Sequence, residues 1–166
     1  TLYKDGRMEH HEWVDTNRGV FPNYEFVCQL KAVLEKDDGT IFKYSPHENT
    51  VLNQIKTQML DDDESKYGDL IEWIETITSW DEGGVKGSGY RNMVDLLQMV
   101  RKYYYHPDMG GSNSIKKVLP AVMTGDAVKK KYSKPSDFGT HLKGRVLWEL
   151  NPETGKPENP YHLLPG

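Results

Sequence analysis

One cysteine in 166 residues, Cys28, excludes an internal disulfide. That usage fits a reducing cytoplasm, the expected location of this chain. No run of about 18 apolar residues occurs, so neither a membrane-spanning helix nor a membrane partner is expected. No secretory signal is visible at the start. The first residue is Thr1 rather than Met, which reads as a processed or truncated chain. Positive charge is also in short supply: 21 Lys and Arg stand against 25 Asp and Glu, a net charge of −4. A sequence-independent DNA clamp is usually basic, so the total argues against one. It does not exclude a nuclease, because metal ions can supply the positive charge at a phosphate. The Gly-dense stretch Trp80–Tyr90, W-D-E-G-G-V-K-G-S-G-Y, lacks the Lys-Ser ending of a phosphate-binding loop and reads as a flexible loop. No internal repeat is present.

What is there suits one domain of moderate apolarity, 36% hydrophobic and 28% charged, with ten tyrosines and four tryptophans supplying much of the burial. Asp5-Gly6 predicts a turn between short strands, the second running over Met8–Val14. His10 and His11 are adjacent on that strand and point to opposite faces, a poor metal pair and an ordinary solvated face. Asn23 is placed to cap a helix over Tyr24–Glu35, with Phe26, Val27, Leu30, Val33 and Leu34 on its apolar side. After the Asp38-Gly39 turn, Gly39–Tyr44 (G-T-I-F-K-Y) reads as a short buried strand.

A Pro corner follows, and then a helix carrying Val51, Leu52, Ile55 and Leu60. Glu48 falls in its first turn, where the helix dipole favours a carboxylate. An ordinary first-turn Glu and a metal-binding carboxylate at the C-terminal end of a strand both fit that position. The run Asp61-Asp62-Asp63-Glu64 reads as a solvated loop or the start of the next helix, Tyr67–Trp80, with Leu70, Ile71, Trp73, Ile74 and Ile77 buried.

The stretch Asn92–Met123 organises the chain. An apolar strand end holds one acid, Asp95. Leu96, Met99, Val100 and Tyr103 then recur at helical spacing. Pro107 breaks that helix and pushes His106 toward an extended conformation. Gly110-Gly111 makes a corner. Ser112 or Ser114 caps a second helix with Ile115, Val118, Leu119 and Val122 as its stripe, shortened or kinked at Pro120. Beyond Met123 the composition turns irregular and Pro/Gly-rich over 124–166. A short basic segment lies at Ala127–Lys131, a strand-like piece at Val146–Leu150 and a turn cluster at Pro152–Pro160.

The series V-D-L-L … Y-Y-Y-H-P-D-M-G-G-S-N-S-I-K-K-V-L-P-A, close over Val94–Val122 and looser over Gly39–Ile55, resembles a bacterial family of uncharacterised proteins. That family carries a ribonuclease H-like domain of the DEDD proofreading-exonuclease type. The resemblance implies an α/β fold, a ribonuclease H-like mixed sheet flanked by helices, of which residues 1–166 form a single incomplete domain. It also implies a metal-dependent 3′–5′ exonuclease activity with magnesium or manganese as cofactor and nucleic acid as partner.

In the second motif of such enzymes an aromatic and an acidic residue follow a strand. Here His47 takes the aromatic place and Glu48 the acidic one, where Asp is more usual, and the usual Asn near Tyr44 is absent. The Asp-x-Glu of the first motif is not seen. The segment Asn159–Pro165 resembles one that precedes the last catalytic aspartate, which does not follow here. A two-metal nuclease needs several carboxylates around ions about 3.5–4 Å apart.

The expectation is therefore a segment inactive alone, in which Glu48 is a metal ligand and Asp95 a catalytic support. Asp95 serves equally well as the cap of the following helix. His47, Tyr104, His106 and Lys116 are the expected nucleic-acid contacts. Of Tyr103, Tyr104 and Tyr105, stacking on bases is one reading, and two packed with one exposed is the other. His106 reads as a general base or as a structural turn. A non-catalytic interaction or nucleic-acid-binding module, and an unrelated α/β domain with a structural role, are the competing functions.

Overall fold

The computed structural model describes residues 1–139 and 141–164, and of Glu82 the backbone only. The chain is mixed α/β and divides into two compact units, Trp13–Met99 and Thr1–Glu12 with Val100–Gly166. No helix among the described residues is long and apolar enough to cross a membrane.

The unit Trp13–Met99 is built on two helices, α1 (Asn23–Leu34) and α2 (His47–Ile77), which pack together. Their apolar stripes meet in a core of Val27, Leu52, Ile55, Met59, Ile74 and Ile77, each at most 3% exposed. Asn23 is the first residue of α1 and does not cap it. Its side-chain N–H donates to Gln58 Oε1 at 2.8 Å, and Pro22 stands at the cap without a side-chain bond. The two expected helices over 51–77 form one interval interrupted at Asp63, whose φ of −161° and ψ of 91° are not helical. Asp63 Oδ1 accepts from Ser65 Oγ at 2.7 Å and from the Lys66 N–H at 3.2 Å, so it caps the second half. These bonds, the Ser65 one foremost, hold the Asp63 carboxyl below the ordinary carboxylate range. The acidic run thus stands at a helix start.

Two short strands, β1 (Phe42–Lys43) and β2 (Ser79–Glu82), follow α1 and α2 respectively. β2 pairs antiparallel with β3 (Val85–Ser88), and Gly83 and Gly84 at φ of +61° and +85° turn the hairpin. The Trp80–Tyr90 stretch is therefore ordered structure rather than a loop. Trp80 lies so close to Gly87 that a Cβ there would sit 2.3 Å from the indole. β4 (Val94–Asp95) pairs parallel with β1, Phe42 opposite Val94 and Lys43 opposite Asp95. The expectation that these two runs share one sheet holds, but Gly39–Tyr44 is not a buried strand: only Phe42–Lys43 pairs, Phe42 is 56% exposed, and the sheet has two strands, so neither is central.

Arg91 locks this unit. Its guanidinium is 14% exposed and donates to Leu34 O at 2.6 Å and to Gly39 O at 2.9 and 3.0 Å, with Asp37 Oδ1 at 3.5 Å. Its backbone N–H donates to Thr76 O at 2.9 Å. The end of α1, the approach to β1 and the end of α2 are joined through one residue.

α3 (Leu96–Tyr103) bridges the division between the units and buries none of its residues. Met99 and Tyr103, expected on its packed stripe, are 47% and 73% exposed. In the unit containing the C-terminal residues, a 3-10 turn over Pro107–Met109 leads through Gly110 (φ +59°) and Gly111 (φ +78°) to α4 (Ile115–Val122). Ser114 is the residue before α4 but makes no side-chain cap; instead Ser112 Oγ accepts the Ser114 N–H at 3.3 Å. Pro120 sits inside α4, which ends two residues later and buries Val118 and Ala121. The basic segment forms α5 (Asp126–Tyr132).

Two expected strands are absent. Met8–Val14 offers only the Leu2–Met8 bridge, and Val146–Leu150 only Leu150–Pro157, because neither segment has a longer partner ladder alongside. Trp148 still anchors its segment, buried, with its indole N–H donating to Met123 O at 2.7 Å. Pro165, the last residue of the segment Asn159–Pro165, lies outside the described residues.

Replacing Arg91 by Met keeps the stem but strips three charged hydrogen bonds from backbone carbonyls. We expect a loss of about 3 kcal/mol, read as a lower urea midpoint with an unchanged m-value. A midpoint equal to wild type would show that the lock is dispensable.

Candidate functional site: a cleft at the start of helix α2

An apolar cleft of about 390 Å³ opens in the unit Trp13–Met99. Phe26, Leu30 and Leu34 of α1 line one side, Val51 and Leu52 of α2 another, with the buried Ile41, Ile77 and Met93 and the exposed Phe42 completing it. Lys43, His47 and Glu48 are its charged and polar rim. Apolar walls with a few polar groups at the mouth are the usual make-up of a ligand cleft.

Local geometry explains the rim. β1 ends at Lys43, and Ser45 takes a φ of +91°, an uncommon conformation for a residue with a Cβ. Strained backbone of this kind persists where its surroundings over-determine it. Here the determinant is Asp95: its Oδ1 accepts the Ser45 N–H at 3.0 Å and the Leu97 N–H at 2.9 Å. Ser45 Oγ accepts the His47 N–H at 3.4 Å, and α2 begins at His47. Glu48 therefore sits in the first helical turn, solvent-exposed, its carboxylate in no hydrogen bond or ion pair among the described residues.

The expected site residues fall into two groups. His47 and Glu48 share the cleft. Asp95 does not line it and acts through the Ser45 corner while capping α3, so the helix-cap alternative describes its contacts. Tyr104, His106 and Lys116 belong to the other unit.

His106 Nδ1 accepts the Asp108 N–H at 3.2 Å and caps the 3-10 turn. Its Nε2 faces Thr124 Oγ1 at 3.4 Å. That hydroxyl donates to Ala121 O at 2.7 Å. Capping the turn through its ring fits the structural-turn reading of His106. All three tyrosines are exposed, Tyr104 least at 37%, rather than two packed and one free.

Lys116 is exposed and in no ion pair among the described residues. Nor do any three His, Cys, Asp or Glu side chains among those residues form a group able to hold a metal ion.

Charge summed over the whole chain hides a signal that the division into units brings out. Thr1–Glu12 with Val100–Gly166 hold 13 Lys and Arg against 9 Asp and Glu, a net of +4; Trp13–Met99 hold 8 against 16, a net of −8. The total of −4 conceals two units of opposite sign.

These features define a mixed α/β protein with a small parallel strand pair and an apolar cleft lined by β1 and the start of α2. The chain belongs to the family described as Domain of unknown function (DUF2779), whose match covers residues 1–114. That span contains Glu48, Asp95 and His106 and ends immediately before α4. No curated protein and no solved structure matches the chain.

A second carboxylate contact yields a pH prediction. Asp108 accepts from Lys156 Nζ at 2.7 Å, and this hydrogen bond, together with the charges of Lys156 and His106, holds its carboxyl below the ordinary range. A depressed carboxylate contributes stability that is present above its unfolded value, about 4, and is lost as pH falls through the folded value. Wild type should therefore melt above Asp108→Asn at neutral pH, with the gap closing below about pH 4. A gap that stays constant across the acid range would assign the effect to something other than this ionisation.

Proposed function

We propose that the chain is part of a ribonuclease H-like, metal-dependent nuclease domain that hydrolyses phosphodiester bonds at nucleic-acid 3′ ends. Glu48 is one carboxylate of its magnesium or manganese site, and these 166 residues do not cleave by themselves. The observation that carries the reading is the placement of Glu48. It follows a strand that pairs parallel with its neighbour, at the C-terminal end where α/β sheets put their sites. Its carboxylate is exposed and uncommitted among the described residues.

The residues present do not complete a site for a divalent ion. Asp95 has one oxygen engaged by two backbone N–H groups, and no third acidic or imidazole ligand joins Glu48 among the described residues. The chain's own part is thus to hold Glu48 at the mouth of an apolar cleft, and Asp95 is a positioning residue. The same incompleteness favours a second reading, a nucleic-acid-binding module of this fold without catalysis.

Manganese titration and a 3′-end digestion assay separate the two. In the intact parent protein, Glu48→Gln should weaken manganese binding at least about tenfold and abolish digestion, a loss of about 1.4 kcal/mol or more in binding. Asp95→Asn should weaken binding less. The 166-residue chain alone should not digest. Manganese affinity unchanged by Glu48→Gln would refute the metal assignment and put the binding module ahead.

A further inference from the structure

Between Val100 and Lys134 stand eight Lys and Arg and only two Asp, a local net of +6 inside a chain of −4. All eight cations are exposed. Among the described residues none of them pairs with a carboxylate. One of the two acids, Asp108, is already taken by Lys156 from outside the segment. Surface cations ordinarily scatter among acids, so a run left without counterions makes a positive field that attracts an external polyanion.

The same segment carries the least buried aromatics of its unit. Tyr103 is 73% and Tyr105 80% exposed, and Lys102 Nζ stands 5.0 Å from the Tyr103 ring centroid. Amphipathic rings held this far into water, beside Arg101 and Lys102, call for a partner that offers both phosphates and flat π-faces. Single-stranded nucleic acid offers both, since its bases are unpaired and every base has a face to stack. A duplex hides its bases. An anionic membrane offers phosphate but no flat face on which a ring can stack.

We propose that this segment binds single-stranded nucleic acid, with Arg101, Lys102, Lys116 and Lys117 meeting phosphates and Tyr103 and Tyr105 stacking on bases. The proposal rests on the nucleic-acid reading above and deepens it. It assigns strand binding to the basic unit, while Glu48 belongs to the acidic one.

The test uses the whole 166-residue chain and fluorescence anisotropy of labelled single-stranded RNA and DNA of about 12 nucleotides. EDTA is present throughout, so cleavage plays no part. Wild type should bind, more weakly as salt rises. Replacing both Tyr103 and Tyr105 by Ala should weaken binding about tenfold or more, while replacing both by Phe, which keeps the rings, should not. Replacing Lys116 and Lys117 by Ala should flatten the salt dependence by about 0.7 in log–log slope for each phosphate no longer neutralised. All four side chains are exposed, so the variants should fold, which circular dichroism checks. Oligonucleotide binding within about twofold of wild type in the Tyr-to-Ala variant would overturn the proposal. So would equal affinity for a blunt duplex, or a preference for phosphatidylserine vesicles over either oligonucleotide. If single strands bind as described while the parent shows no Glu48-dependent digestion, the binding segment stands and the nuclease reading falls.

Discussion

One carboxylate oxygen, Asp95 Oδ1, holds together the parts of this protein that bear on function. It accepts one N–H from Ser45 and one from Leu97, and so ties the corner after β1 to the first turn of α3. With Lys43 opposite Asp95, the same contact fixes the register of the parallel pair. It also stabilises the left-handed Ser45 corner, which sets the direction in which α2 begins and where Glu48 projects. A carboxylate accepting two backbone N–H groups is a strong, directional tie. Asp95 is committed to two backbone N–H groups, whereas the carboxylate of Glu48, a residue of the same charge, is exposed at the rim of the cleft.

The helices are legible in the sequence because their apolar residues recur at three and four along α1 and both halves of α2, and that periodicity survives any detail of packing. The parallel strands are legible as two short apolar runs, each followed by a helix. The hairpin is not, because the glycines of W-D-E-G-G-V-K-G-S suggest a loop. Two of those glycines turn the chain, and a third makes room for Trp80. The Ser45 corner carries no signal, since a positive φ is ordinarily announced by Gly or Asn and here is imposed by a residue fifty positions away. Asp95 has two roles open to it in the sequence, and only its hydrogen bonds separate them. Tyr103 matches a buried stripe by spacing, yet periodicity reports amphipathicity and not what the apolar side faces.

Opposite charge on the two units bears on how total charge is read. A net of −4 describes neither the −8 of Trp13–Met99 nor the +4 of the other unit. Fields fall off over about 8 Å at physiological ionic strength, so a ligand at one surface responds to that surface and hardly to the sum. The family match, running over residues 1–114, contains the acidic unit whole and only the first part of the basic stretch.

The break at Asp63 has a topological consequence. A straight helix of 31 residues would be about 46 Å long, and Lys56 and Glu75 would lie about 28 Å apart along it. Instead Lys56 Nζ meets Glu75 Oε1 at 3.2 Å, and Asn49 bonds the backbone of Ser79, so the second half doubles back to where the first began. α2 is a hairpin of helices whose two open ends meet beside the strands and whose closed end is the exposed acidic turn. Chain length can therefore vary at that turn, whole helical turns being added to both arms together, while the ends that carry the cleft keep their spacing. The acidic turn is where this architecture can grow without disturbing its site.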